Sequence, residues 1–238
     1  TSAHGLLKNE LNMLGSFLLK AAERTAVPAG ESLTVNRDLF SEEVERLILA
    51  CPNITLHREE VKTLEGEFPT IVAAGPLASD TLADDIFKRL GSERLHFFDA
   101  IAPVVETESI DFEHAFYKNR WEKGETEDFI NCPLDKETYD LFVQKLREAE
   151  SIEPRPFEKH ELFEGCLPIE EMARRGTETL RYGPMRPVGL GINPTGKKWH
   201  AVIQLRAENA QKTLFNMVGF QTRLKWGTQK EIFSMVPA

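Results

Sequence analysis

The stretch "WHAVIQLRAENAQKTLFNMVGFQT" (residues 199–222) decides how the second half of the chain is read. It gives two strands, near 199–206 and 213–221, around a polar turn. Working outward, "AFYKNRWEKGETEDFINCP" (115–133) is irregular or hairpin-like, and 135–150 is a clear helix. "RLHFFDAIAPVVETESI" (94–110) has β character. Together these segments predict an α+β region from about residue 95 onward.

The first half has a different texture. Residues 5–25 place Leu6, Leu7, Met13, Leu14, Leu18 and Ala21 at helical spacing. Pro28 and Gly30 interrupt that pattern, and a short strand is expected around Ser32–Val35. A second helix is expected over roughly 41–51, opened by Ser41, and a third from Ser79 to about Leu90. Between them, 54–64 reads as a strand ending in a turn at Gly66. "TIVAAGPL" (70–77) is nearly all apolar, the pattern of a parallel strand buried on both faces. Alternating strands and helices predict an α/β nucleotide-binding layer, with a boundary near 92–96.

At 238 residues the chain can bury a sizeable core, and no apolar run is long enough to span a bilayer. The N-terminal stretch carries charge throughout and is not a signal peptide. Three scattered cysteines, Cys51, Cys132 and Cys166, form neither a disulfide framework nor a zinc knuckle, so a reducing cytoplasmic setting is the default expectation. The six histidines show no metal spacing.

The net charge of −9 argues against nucleic acid, yet its distribution is uneven. Residues 106–150 hold thirteen acids against six bases, whereas 186–230 hold eight bases against Glu208 alone. That basic stretch is either an ordinary solvated surface or a local phosphate-binding face.

Chemical motifs are sparse. Gly189-Leu190-Gly191 lacks a third glycine, and Pro194 stands where a phosphate-binding helix would begin, so it is no dinucleotide fingerprint. Ala74-Gly75-Pro76 could turn backbone N–H groups toward a ligand or simply end a strand. In "LFEGCLPIEEMARRG" (162–176), Pro168 suits the first helical position, Glu170-Glu171 the first turn, and Arg174-Arg175 the last turn before Gly176. Cys166 would sit in the positive end-field of that helix, which favours thiolate, while Glu164, Glu170 and Glu171 oppose it. On these grounds it is either a nucleophile or a buried structural thiol.

Several long segments together resemble one family: the folate- and FAD-dependent tRNA (uracil-5-)-methyltransferases, TrmFO. The blocks include "GLLKNELNMLGS", "VPAGESLTVNRDLFSEEV", "FFDAIAPVVETESID", "FEGCLPIEEMARRGTETLRYGPMRPVGL" and "NMVGFQTRLKWGTQK", in the family's order along nearly the whole chain. The chain has "AAGPL" where Ala-Thr-Gly-Pro is usual and Asn36 where Asp is common.

The resemblance implies an α/β fold, part of an FAD-binding Rossmann-like domain with an inserted α+β domain. Residues 1–94 would belong to the FAD-binding layer and 95–238 mainly to the insertion, with a return to the FAD layer around 150–190. It implies an interior fragment lacking the N-terminal Gly-rich FAD loop and the C-terminal segment. The activity implied is C5-methylation of a T-loop uridine in tRNA, with FAD, 5,10-methylenetetrahydrofolate and NAD(P)H as cofactors. Alternatives are the same chemistry on ribosomal RNA, or a non-catalytic fragment that binds RNA or a partner. By resemblance Cys166 is catalytic, and Val61, Ala74, Gly75, Pro76, Ala29 and Gly30 lie at the FAD site. Arg174, Arg175, Arg181, Arg186, Lys197, Lys198, Arg223 and Lys225 are RNA-contact candidates, some of them expected to form intramolecular ion pairs instead.

Overall fold

The computed structural model describes residues 3–64, 66, 68–75, 78–90, 101–124, 126–152 and 167–238. The first helical pattern forms two helices, α1 (Ala3–Met13) and α2 (Phe17–Arg24). They part at Gly15, whose φ of +78° is a left-handed conformation that glycine adopts without a Cβ penalty. Ser16 then caps α2, its side chain accepting the Leu19 N–H at 3.4 Å. Strands β1 (Ala26–Val27) and β2 (Thr34–Val35) pair antiparallel around the Pro28–Gly30 turn. Helix α3 (Arg37–Leu49) starts earlier than Ser41 because Asn36 Oδ1 accepts the Leu39 N–H at 3.1 Å. Helix α4 (Asp80–Leu90) buries Leu82, Ala83 and Ile86.

Two expected strands are not formed. The described residues of 54–64 and 70–75 lie in no strand, and Ile71 is 93% exposed. A strand covered on both faces needs hydrogen-bonded neighbours. Among the described residues no strand pairs with either segment. Helix α1 likewise buries none of its residues, leaving Met13 and Leu14 exposed. The expected boundary at 92–96 lies outside the described residues.

The second half builds a five-stranded antiparallel sheet in the order β3-β7-β6-β5-β4, giving a mixed α/β fold. Its strands are β3 (Val104–Glu106), β4 (Phe116–Tyr117), β5 (Phe129–Leu134), β6 (Ala201–Ala207) and β7 (Leu214–Met217). The two strands expected within 199–222 are β6 and β7, paired through Leu205↔Met217.

Alternation divides the residues of the central strands between two faces. Ile130, Cys132, Leu134, Ala201, Ile203 and Leu205 join a buried apolar cluster with Tyr139, Phe142, Val143 and Leu146 of α5 (Lys136–Glu148). Helix α6 (Ile169–Arg175) adds Ile169 and Ala173, and Phe233 of α8 (Trp226–Phe233) packs edge-on against Phe220 with centroids 6.1 Å apart. A short turn of helix, α7 (Thr179–Tyr182), contributes Leu180. The opposite face carries Asn131 directly across from Gln204, both buried and both polar. Among the described residues no helix is long and apolar enough to cross a membrane.

Candidate nucleic-acid interface

A buried amide pair must find hydrogen-bond partners, and the Asn131–Gln204 pair finds them in a chain leading outward. Gln204 Nε2 donates to Asn131 Oδ1 at 2.9 Å, and Asn131 Nδ2 donates to the Lys118 carbonyl at 2.8 Å. Arg120 Nε donates to Gln204 Oε1 at 2.6 Å, and Arg120 Nη1 to the Val188 carbonyl at 2.7 Å. Burial, with the neighbouring Arg186 charge, lowers the Arg120 pKa to about 10.

The next residue is Trp121, at φ +60° and ψ +20°, followed by Glu122 at φ +55°. Left-handed backbone at a bulky residue is a real outlier and persists only when its surroundings enforce it. Here the Trp121 N–H donates to the Gly189 carbonyl at 2.8 Å, and its indole lies against Gly189. A Cβ on Gly189, itself at φ +88°, would stand 3.0 Å from the ring. Trp121 remains 63% exposed. A cleft of about 550 Å³ lies beside it, lined by Pro187, Val188, Ile192, Lys118 and Lys198 among others.

The far side of the same loop grips the Pro28–Gly30 turn. Asp128 Oδ2 accepts the Gly30 N–H at 2.7 Å, and Asn119 Oδ1 accepts the Asp128 N–H at 2.9 Å. Gly124 stands against Gly30, a Cβ there meeting the Gly30 Cα at 3.2 Å.

The eight basic residues singled out from sequence divide sharply. Arg174 pairs with Glu171 at 2.6 Å, Arg181 with Glu178 at 2.8 Å and Lys225 with Glu150 at 3.1 Å. Arg175 and Arg223 also have interactions of their own. Arg186, Lys197 and Lys198 are exposed and form no ion pair among the described residues. Lys197 and Lys198 close a tight hairpin, in which Asn193 Oδ1 accepts N–H groups from Thr195 and Lys197. No helix begins within residues 190–200, all of them described.

Of the residues expected at a flavin, Ala29 is buried, while Val61, Ala74 and Gly75 are exposed. Gly75 is left-handed at φ +70° with open space around its Cβ position. Pro76 and Cys166 lie outside the described residues. Cys132 is buried in the sheet, which pushes its thiol up to about 12 and leaves it no nucleophile at neutral pH.

Just beyond Cys166, Pro168 takes the N-cap of α6 and Ile169 the first helical position, one residue later than expected. Glu170 is fully buried, accepting the Thr222 hydroxyl at 2.8 Å and the Arg223 N–H at 2.9 Å. The Ile169 N–H donates to the Gln221 carbonyl at 2.7 Å, so α6 and residues 221–224 are locked together. Neither Glu170 as a buried tie nor Trp121 as a surface feature is among the residues that the sequence singles out. The available signals were a glutamate opposite the specific "GFQTRLKWG" block, and a tryptophan in a polar loop. Among the described residues no group of three or more His, Cys, Asp or Glu could hold a metal ion.

The chain is 50% identical over 237 residues to a protein of Dictyoglomus turgidum named methylenetetrahydrofolate–tRNA-(uracil-5-)-methyltransferase TrmFO, covering 100% of this chain and 54% of that protein. Proteins of the same name from Citrifermentans bemidjiense and Lactobacillus helveticus are 51% and 47% identical, with 54% and 58% of their lengths covered. The chain thus spans about half the length of the curated relatives it matches. The family model for glucose inhibited division protein A matches residues 1–238, and the chain belongs to that family.

Proposed function

We propose that the protein containing this chain methylates C5 of a uridine in tRNA, using methylenetetrahydrofolate and FAD. The observation that carries this reading is identity near 50% along the whole chain to relatives bearing that name. Lys198 lines the Trp121 cleft and Arg186 and Lys197 adjoin lining residues along the chain; that the three form no ion pair among the described residues supports an RNA partner.

Uracil C5 is a poor nucleophile. Attack of a thiolate at C6 makes C5 part of an enolate able to take a one-carbon unit; loss of the C5 proton breaks that carbon's bond to its carrier amine, and a hydride then turns the exocyclic methylene into methyl as the thiolate leaves C6, with Cys166 one of the thiols that serve the reaction. When bound, the folate supplies that carbon and FAD the reducing equivalents, drawn from NAD(P)H. Val61, Ala74 and Gly75 fit the approach of a flat cofactor, being exposed with open space at Gly75. Gly30 offers only close approach, since its N–H is already given to Asp128. Residues 1–94 belong, on this reading, to the FAD-binding layer, 95–238 mainly to the insertion, and the site of action is the cytoplasm.

The test is spectroscopic. The whole protein should purify with a flavin absorbance band that Gly75→Val weakens. A colourless protein unable to take up added FAD would refute the assignment.

A further inference from the structure

The Trp121 loop joins three features seldom found together on an ordinary surface. A large aromatic ring is held in a left-handed backbone, fixed on one side against Gly189 and open to solvent over most of its area. Two further exposed apolar side chains, Val188 and Ile192, line the same cleft. Lys118 and Lys198 line the cleft, and Arg186 adjoins its Pro187–Val188 edge along the chain. Glu122, the one carboxylate lining the cleft among the described residues, is balanced by Lys118 at 3.3 Å. Apolar area rimmed by unpaired positive charge is complementary to a nucleobase with its phosphates, and not to a neutral apolar segment.

We propose that Trp121 is a stacking shelf for an unpaired base of the substrate RNA, with Lys198 and Arg186 meeting the adjoining phosphates. This rests on the RNA reading above and adds to it a residue and a recognition mode. The Arg120–Gln204–Asn131 chain fixes the shelf to the sheet, so the indole is in place before RNA arrives. The Asn119–Asp128–Gly30 contacts fix the same loop to the Pro28–Gly30 turn, which sets the shelf beside the turn assigned to the flavin. A base stacked there is splayed out of its helix, the state in which single-stranded RNA is read.

The experiment measures binding of the whole protein to a stem-loop RNA with an unpaired loop and to a duplex of the same length, from about 50 to 200 mM salt. Trp121→Ala should lower stem-loop affinity about fivefold or more, leave duplex affinity unchanged, and keep the salt dependence of the unaltered protein. Trp121→Phe should retain affinity within about threefold, since a phenyl ring still stacks. Lys198→Ala should instead weaken both RNAs and reduce the salt slope by about 1. The Trp121 emission, read as the difference between the unaltered protein and Trp121→Phe, should be quenched by stem-loop RNA. An unaltered protein that binds neither RNA would overturn the RNA reading, and the shelf with it. Normal binding by Trp121→Ala, equal losses for both RNAs, or a Trp121 emission indifferent to RNA would overturn the shelf alone.

Discussion

Arg120 Nε lies 2.6 Å from Gln204 Oε1, joining an outer loop to the polar face of the central strand. That contact turns a sheet residue into the foundation of a surface site. Both ends of the Gln204 amide are engaged, its nitrogen donating to Asn131 at 2.9 Å.

Replacing Gln204 by Leu therefore strands two polar partners. Gln204→Leu should destabilise the fold by about 1–3 kcal/mol, read from urea unfolding, and should weaken RNA binding with no RNA-facing charge removed. Unchanged affinity would show that the loop holds its shape without the sheet.

Gly189 tests the other support. Gly189→Ala puts a methyl 3.0 Å from the Trp121 ring on backbone at φ +88°. A loss of about 1–2 kcal/mol in stability and a shift of the Trp121 emission are expected.

Glu170 holds α6 to residues 222–223. Its carboxylate is fully buried, and removing it orphans the Thr222 hydroxyl and the Arg223 N–H. Glu170→Ala should cost about 2–4 kcal/mol of unfolding free energy, and Glu170→Gln less, since one acceptor oxygen is kept. Because Cys166 stands three residues before the first residue of α6, both variants should also slow methyl transfer.

His200 gives the stability a pH dependence. Burial and the nearby Arg181 lower its pKa, with Tyr139 edge-on at 5.1 Å. The folded state thus favours the neutral ring, while the unfolded chain takes up a proton below its ordinary pKa of about 6.5. The contribution of His200 is present above that value and is lost as pH falls from there toward the lowered folded-state pKa. His200→Gln should flatten the fall of the unfolding midpoint as pH drops below about 6.5; an unchanged slope would assign the acid sensitivity elsewhere.

The sheet of the second half is legible in the sequence because its strands pair with one another. The strands expected within 199–222 and the 135–150 helix correspond to observed elements, and of the two readings of the stretch ending at "FINCP", irregular or hairpin-like, the pairing of β4 with β5 matches the second. "TIVAAGPL" misled because an apolar run is only a strand when neighbours accept its backbone, and Ile71 stands in the open instead. The single helix expected over 5–25 hid its break, since Gly15 inside a periodic pattern is tolerated as readily as it is used to turn. Charge alone could not separate Arg186, Lys197 and Lys198 from Arg174, Arg181 and Lys225. Their carboxylate partners are set by helix spacing for Arg174 and Arg181, and by tertiary contact for Lys225. Trp121 was invisible for a related reason: its worth depends on Gly189, 68 residues away in the chain.

The central claim, uracil C5-methylation through Cys166, is tested most directly by following the carbon. The whole protein is incubated with NAD(P)H, uridine-containing tRNA and methylenetetrahydrofolate labelled in its methylene group, and the digested nucleosides are analysed by mass spectrometry. Labelled 5-methyluridine should form with the unaltered protein, and should vanish with Cys166→Ala while the flavin band and RNA affinity persist. Full labelling by Cys166→Ala, or no label in uridine from an unaltered protein that carries flavin and binds tRNA, would contradict the account.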